Sequence, residues 1–181
     1  KEIETKGYVE ELGQSIEGHL HHAKIPSSMK KDLNNDFYQL KNIVKRLIKF
    51  GHKRIITCQT HGDFQPANIL IEKGRSWLID WEYSSRRQIA YDGLVYSLAS
   101  RFPMGLGNRI GQALDESSND CDFLIDTWPQ IEWQDKIQKR VMIALFLLEE
   151  LDLKLRENIN SLLSNFDHGF KVFMNEINIS L

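Results

Sequence analysis

Cysteine is nearly absent from this chain: 2 in 181 residues, Cys58 and Cys121. Neither stands in a CxxC or Cys/His spacing, which argues against a structural zinc site or a disulfide framework and suits a reducing, cytoplasmic setting. An excess of charge of either sign is also missing. Lys and Arg total 23 against 25 Asp and Glu, a net charge of −2, so no basic field points to nucleic acid or an anionic membrane as partner. No apolar run is long enough to cross a bilayer, and no signal peptide is expected. The longest apolar run, Val141 to Leu148, reads as one face and the core of a helix. There are no internal repeats and no low-complexity segments. The chain opens at Lys1 directly in a helical pattern, with no leading strand, and is read as a fragment or processed piece.

What is present is an ordinary globular composition, 41% apolar and 27% charged, enough for one domain over 1–181 with a hydrophobic core. Tyr8, Val9, Leu12, Ile16 and Leu20 recur at three and four, predicting a helix over 8–22. Pro26, Ser27 and Ser28 break it and cap a second helix over 28–50, ended at Gly51. Lys41, Lys45, Arg46, Lys49, Lys53 and Arg54 are read as the solvated face and C-terminal end of that helix, where cations are favoured. Ile55 to Cys58 is a short β-branched run and predicts a strand. Asn68–Glu72 and Trp77–Ile79 predict a hairpin around Lys73-Gly74. Helical patterns follow at 91–100, 110–115, 131–155 and 159–178, with a loop at 102–107 and a polar exposed stretch at 117–122. The expected fold is mostly α with one small β-hairpin.

The chemistry gathers on His61-Gly62-Asp63-Phe64-Gln65-Pro66-Ala67-Asn68-Ile69-Leu70, followed by Ile79-Asp80-Trp81-Glu82. Asp63, Asn68 and Asp80 sit beside apolar, strand-like residues, where a carboxylate or amide calls for a function. A loop carboxylate before a hairpin can accept the proton of a substrate hydroxyl. An amide at the loop's end and a carboxylate after the second strand offer hard oxygen ligands of the kind that suit Mg²⁺ and phosphates. That is the division of labour in kinase phosphoryl transfer, and the spacing reproduces H-x-D-x-x-x-x-N.

In these residues the chain resembles the C-terminal lobe of the aminoglycoside phosphotransferase and choline kinase superfamily, of protein-kinase-like α+β fold. The resemblance covers about 50–100 by motif and the helical remainder by general pattern. It implies ATP and Mg²⁺ as cofactors, with Asp63 as catalytic base and Asn68 and Asp80 as metal ligands. Leu70 and Ile79 would form the floor under the nucleotide base. His61 would be a structural member of the loop, and Asp92, in Tyr91-Asp92-Gly93-Leu94, its brace. Gly62 stands where protein kinases carry the arginine of H-R-D, and no A-P-E follows Asp80. A small-molecule kinase is therefore favoured over a protein kinase. A nucleotide-binding N-terminal lobe is expected to be missing from this piece, because no Gly-rich loop follows a strand and no V-A-x-K-like strand precedes the first helix. The isolated chain should then bind ATP poorly and turn over little.

The acceptor stays open between choline or ethanolamine, an aminoglycoside, and a sugar or other alcohol. Gln65 and the run Glu82-Tyr83-Ser84-Ser85 are close to the text of choline and ethanolamine kinases. An aromatic cage for a quaternary ammonium could draw on Tyr83, Trp128 and Trp133, with Glu82 adding charge; the two tryptophans also read as core residues. Asp115, Glu116, Asp120, Asp122 and Asp126 suit an aminoglycoside, but read first as a solvated acidic loop. His19, His21 and His22 read as surface histidines and Cys58 as a buried small hydrophobe. A non-catalytic kinase-like binding or scaffolding module is the alternative function. Oligomeric state is left open.

Overall fold

The computed structural model describes residues 1–23, 27–51, 53–115, 133, 135–160, 172–173 and 175–176. Two helices come first: α1 over Thr5–His22 and α2 over Ser27–Leu47. On α1 the buried residues include Val9, Gly13, Ile16 and Leu20; on α2 they include Leu33, Phe37, Leu40 and Val44. These four-three-four spacings put each set on one stripe. Both stripes close on α5, Lys136–Asn160. Every residue from Val141 to Leu151 on α5 is buried. A helix apolar on all sides belongs at the centre of a bundle, and α5 is flanked there by α1, α2, α3 (Tyr91–Ser97) and α4 (Leu106–Leu114).

Two small sheets stand on this bundle. Strands β3 (Ile69–Glu72) and β4 (Arg75–Leu78) form the expected hairpin, with Leu70 opposite Trp77. Lys73 and Gly74 both take positive φ, 49° and 75°, the turn whose twist matches a two-residue hairpin. The second sheet departs from the sequence-based expectation of a lone hairpin. Strand β2 (Arg54–Thr60) lies between β1 (Glu2–Glu4) and β5 (Ser85–Gln88), antiparallel to both. So the chain does carry a strand ahead of its first helix, and it is not helical throughout after the hairpin. Both strands are short and polar, and their backbone partners on β2 hold them. Helix α4 also begins earlier than predicted, at Leu106. The expected stretches at 117–122 and around Trp128 lie outside the described residues, as does most of 159–178.

One cation of that helix face differs from expectation. Lys41 is not solvated: it is 8% exposed, its Nζ lies 3.1 Å from Glu17, and it lies alongside Gly13. Lys45 pairs with Glu10 at 2.9 Å. A cavity of about 410 Å³ opens between the start of α1 and the end of α2, lined by Thr5, Val9, Lys45, Ile48 and Lys49 among others. None of the 61–70 loop borders it. No helix among the described residues is long and apolar enough to cross a membrane.

Candidate active site

The loop from His61 to Asn68 leaves β2 and enters the hairpin, and three backbone devices shape it. Gly62 sits at φ 90°, and a β-carbon there would collide with the Tyr83 carbonyl, so only glycine fits. Asp92, in the first turn of α3, accepts from the His61 N–H at 2.6 Å and the Gly62 N–H at 3.0 Å. That bidentate grip ties the start of the loop to α3. His61 is 1% exposed; its Nδ1 accepts the Asp63 N–H at 3.2 Å. The ring proton therefore lies on Nε2, which donates to the Ile79 carbonyl at 2.7 Å. His61 thus ties the loop to the end of the hairpin, and Trp81 packs edge-on against its ring at 4.8 Å.

Asp63 and Asn68 come together at the loop's centre, 9% and 8% exposed. The Asn68 amide donates to the Asp63 carbonyl at 2.9 Å and to its Oδ2 at 2.8 Å. Gln65 Nε2 donates to the same Oδ2 at 2.9 Å, and Arg101 Nε to Oδ1 at 2.6 Å. Burial alone would raise the Asp63 carboxyl. The hydrogen bonds from Arg101, Gln65 and Asn68 and the Arg101 charge outweigh it and hold the group below its usual range.

Asp80 is placed by its neighbours. The Ile79 N–H donates to the Asn68 carbonyl at 3.0 Å, His61 holds the Ile79 carbonyl, and Trp81 rests on His61. Asp80 itself takes the left-handed backbone, φ 66° and ψ 62°, a conformation that Asp tolerates better than most residues and that recurs at functional turns. Its side chain is exposed, and no hydrogen bond or ion pair engages it among the described residues. The same holds for Oδ1 of Asn68, because both of its bonds use the amide nitrogen. One amide oxygen and one carboxylate are therefore left as oxygen donors, a set that fits Mg²⁺.

The other predicted residues divide. Leu70, Trp77 and Ile79 share one hairpin face by the period of two and are 50%, 53% and 40% exposed. Glu82 and Tyr83 lie in the short turn after Asp80. Burial, then the charge of Glu157 on α5, then Glu82, push the Tyr83 hydroxyl up, which sets two carboxylates about one phenol. Trp133 corrects the cage expectation: it is 2% exposed, sits in the apolar core and carries the Lys139 ammonium over its ring at 5.5 Å. A buried ring of that kind packs the bundle instead of lining an open acceptor site. Trp128 lies outside the described residues, as do Glu116, Asp120, Asp122 and Asp126 of the acidic run. Cys58 is only half-buried. His21 and His22 are exposed, and His19 faces Asp152 at 3.2 Å.

Sequence reasoning missed Arg101 and Glu150. Arg101 follows α3, and besides Asp63 its guanidinium reaches the Gly62 carbonyl and, at 2.7 Å, Glu150 Oε2. Glu150 is fully buried on α5 and accepts the Tyr91 hydroxyl on its other oxygen. The available signal was Glu149-Glu150 inside an apolar run, since buried carboxylates demand partners. Nothing local, however, names Arg101 as the partner.

The loop, the hairpin and Asp92 all fall within 27–133, the segment matched by the family model described as phosphotransferase enzyme family, APH. No curated protein and no solved structure gives a match. With more than half its length covered, and the braced His61–Asn68 loop inside the match, the chain belongs to the phosphotransferase enzyme family, part of the protein-kinase-like aminoglycoside phosphotransferase superfamily.

Proposed function

We infer that the protein transfers the γ-phosphoryl group of ATP to the hydroxyl of a small molecule, with Mg²⁺ at Asn68 and Asp80. The observation that carries this reading is the Asp63–Asn68 pair: a carboxylate fixed by three donors beside an amide oxygen and a second carboxylate that no group among the described residues uses. Asp63 orients the acceptor hydroxyl and takes its proton as the oxygen bonds to phosphorus. Asn68 turns its amide to Asp63 and offers its oxygen to the cation. Mg²⁺, when bound, neutralises charge on the phosphates. The apolar hairpin face of Leu70 and Ile79 suits the flat face of a nucleobase, and His61 and Asp92 keep the loop in register.

On the acceptor side, Glu82 and Glu157 about Tyr83 favour an alcohol that also carries an amine or quaternary ammonium, because two carboxylates and a π face attract a cation. Gln65, already on Oδ2 of Asp63, lies where it can turn to the acceptor.

The test is a panel of alcohols with γ-labelled ATP and Mg²⁺, run on the whole protein: choline, ethanolamine, an aminoglycoside and a neutral sugar. Label in a cationic alcohol and little in the sugar is expected. No labelled product with any acceptor, alongside Mg²⁺-dependent nucleotide binding, would instead identify a non-catalytic binding module.

A further inference from the structure

We propose that Arg101 is the positioning residue of this site, a guanidinium strut that holds the Asp63 carboxylate in its working orientation and is itself anchored in the core by Glu150 and Tyr91. The role rests on the assignment of Asp63 as the base. Three observations carry it.

The first is the division of the fork. Nε takes Asp63 Oδ1 at 2.6 Å, one terminal nitrogen takes Glu150 Oε2 at 2.7 Å, and the other takes the Gly62 carbonyl. A planar guanidinium bonded in three directions cannot rotate without losing a bond. The second is the anchor. The Glu150 side chain is 0% exposed and its second oxygen is filled by the buried Tyr91 hydroxyl, so the far end of the strut is fixed to α5 and α3. The third is the turn that delivers Arg101. Ala99 takes φ 43°, a costly backbone for alanine, and Arg109 secures this turn by donating to the Leu98 carbonyl at 2.6 Å and to that of Met104 at 3.0 Å. Strain held in place by a clamp beside a candidate site is an arrangement that functional geometry requires.

The consequence for Asp63 is directional. A carboxylate offers about four lone-pair sites. Asn68 and Gln65 occupy two on Oδ2 and Arg101 one on Oδ1. The acceptor hydroxyl is thereby aimed at the remaining site on Oδ1, or at that of Gln65 when its amide turns away.

The test reads one set of variants of the full chain in two ways. By ¹⁵N–¹H NMR the Arg101 Nε–H should exchange slowly and stand apart from the exposed arginines, and Asp63→Ala should shift it. An Arg101 Nε–H that exchanges as fast as those of the exposed arginines overturns the strut, whatever the activity. Kinetics follow. Arg101→Lys keeps a cation for Glu150, but one ammonium cannot span three acceptors. Its Tm should stay near that of the parent while kcat falls about 10- to 100-fold, with KM for ATP within twofold, because Arg101 bonds neither Asn68 nor Asp80. Arg101→Met combined with Glu150→Gln leaves no charge stranded at position 150 and keeps an oxygen for Tyr91, while Asp63 retains its bonds from Asn68 and Gln65; it should lose at least as much kcat with its circular dichroism unchanged. Parental kcat in either folded variant overturns the positioning role. Asp63→Ala with undiminished turnover would instead sink the phosphotransfer reading, and the role built on it, while the NMR contact would stand as a structural ion pair.

Discussion

At the scale of single residues, the shape of the loop depends on Gly62 and Asp92. Gly62→Ala would force a β-carbon onto the Tyr83 carbonyl in a backbone at φ 90°. We expect a loss of at least about 1–3 kcal/mol, read as a lower urea midpoint, together with loss of turnover. A Gly62→Ala protein of parental stability would contradict the placement of Tyr83. Asp92→Ala removes the acceptor of two backbone N–H groups. Leaving them unpaired costs about 1–3 kcal/mol each where water cannot replace the carboxylate, and kcat should fall more than thermal stability alone predicts. Asp63, Asn68 and Asp80 could be singled out in the sequence because they stand at short, fixed spacings, and Asp92 only through the family resemblance. Arg101 and Glu150 could not, because their bonds to the loop and to each other span 38 and 49 residues. For Trp133 the sequence left a cage role and a core role open, and its burial decides for the core.

At the scale of elements, the helices were readable from their period and the flanking strands were not. β5 reads Ser-Arg-Arg-Gln, with no apolar residue, yet Arg87 and Gln88 are buried. Arg87 donates to the Thr60 hydroxyl and the Tyr83 carbonyl, and Gln88 donates to Glu149 and the Met142 carbonyl. Partners on other elements make these positions strand-like, a tertiary effect that pattern cannot supply. Glu149 ties α1, β5 and α5 together through Tyr8 and Gln88. Burial, outweighing the hydrogen bonds from Tyr8 and Gln88, pushes its carboxyl from an ordinary 4.5 up to about 7. Between those values the folded chain keeps a proton that the unfolded chain has released. The contribution of this group to stability is therefore greatest below about 4.5 and declines as pH rises to about 7, where the loss levels off. The loss attributable to this group is about 3 kcal/mol. Urea midpoints at pH 5 and pH 8, compared between parent and Glu149→Gln, should show a smaller decline in the variant. Equal declines would remove Glu149 as the cause.

At the scale of the whole molecule, one buried helix serves both core and site. α5 supplies the fully buried run 141–150, the anchor Glu150 and, further along, Glu157 near Tyr83. Phe146 is 0% exposed against Tyr91, ring centroids 5.5 Å apart. Phe146→Ala should cost about 3–5 kcal/mol in denaturant unfolding and, through Tyr91 and Glu150, loosen the loop as well. A cost below about 1 kcal/mol would mean that α5 is not the core it is taken for. The central claim is that the His61–Asn68 loop is the catalytic half of a phosphoryl-transfer site. Transfer of label from γ-labelled ATP to an alcohol acceptor, measured side by side on the parent and on Asp63→Ala with matched circular dichroism, tests it most directly. Mg²⁺-dependent transfer by the parent and a fall of about 10²- to 10⁴-fold in the variant are expected; equal transfer by the two proteins would exclude Asp63 as the base.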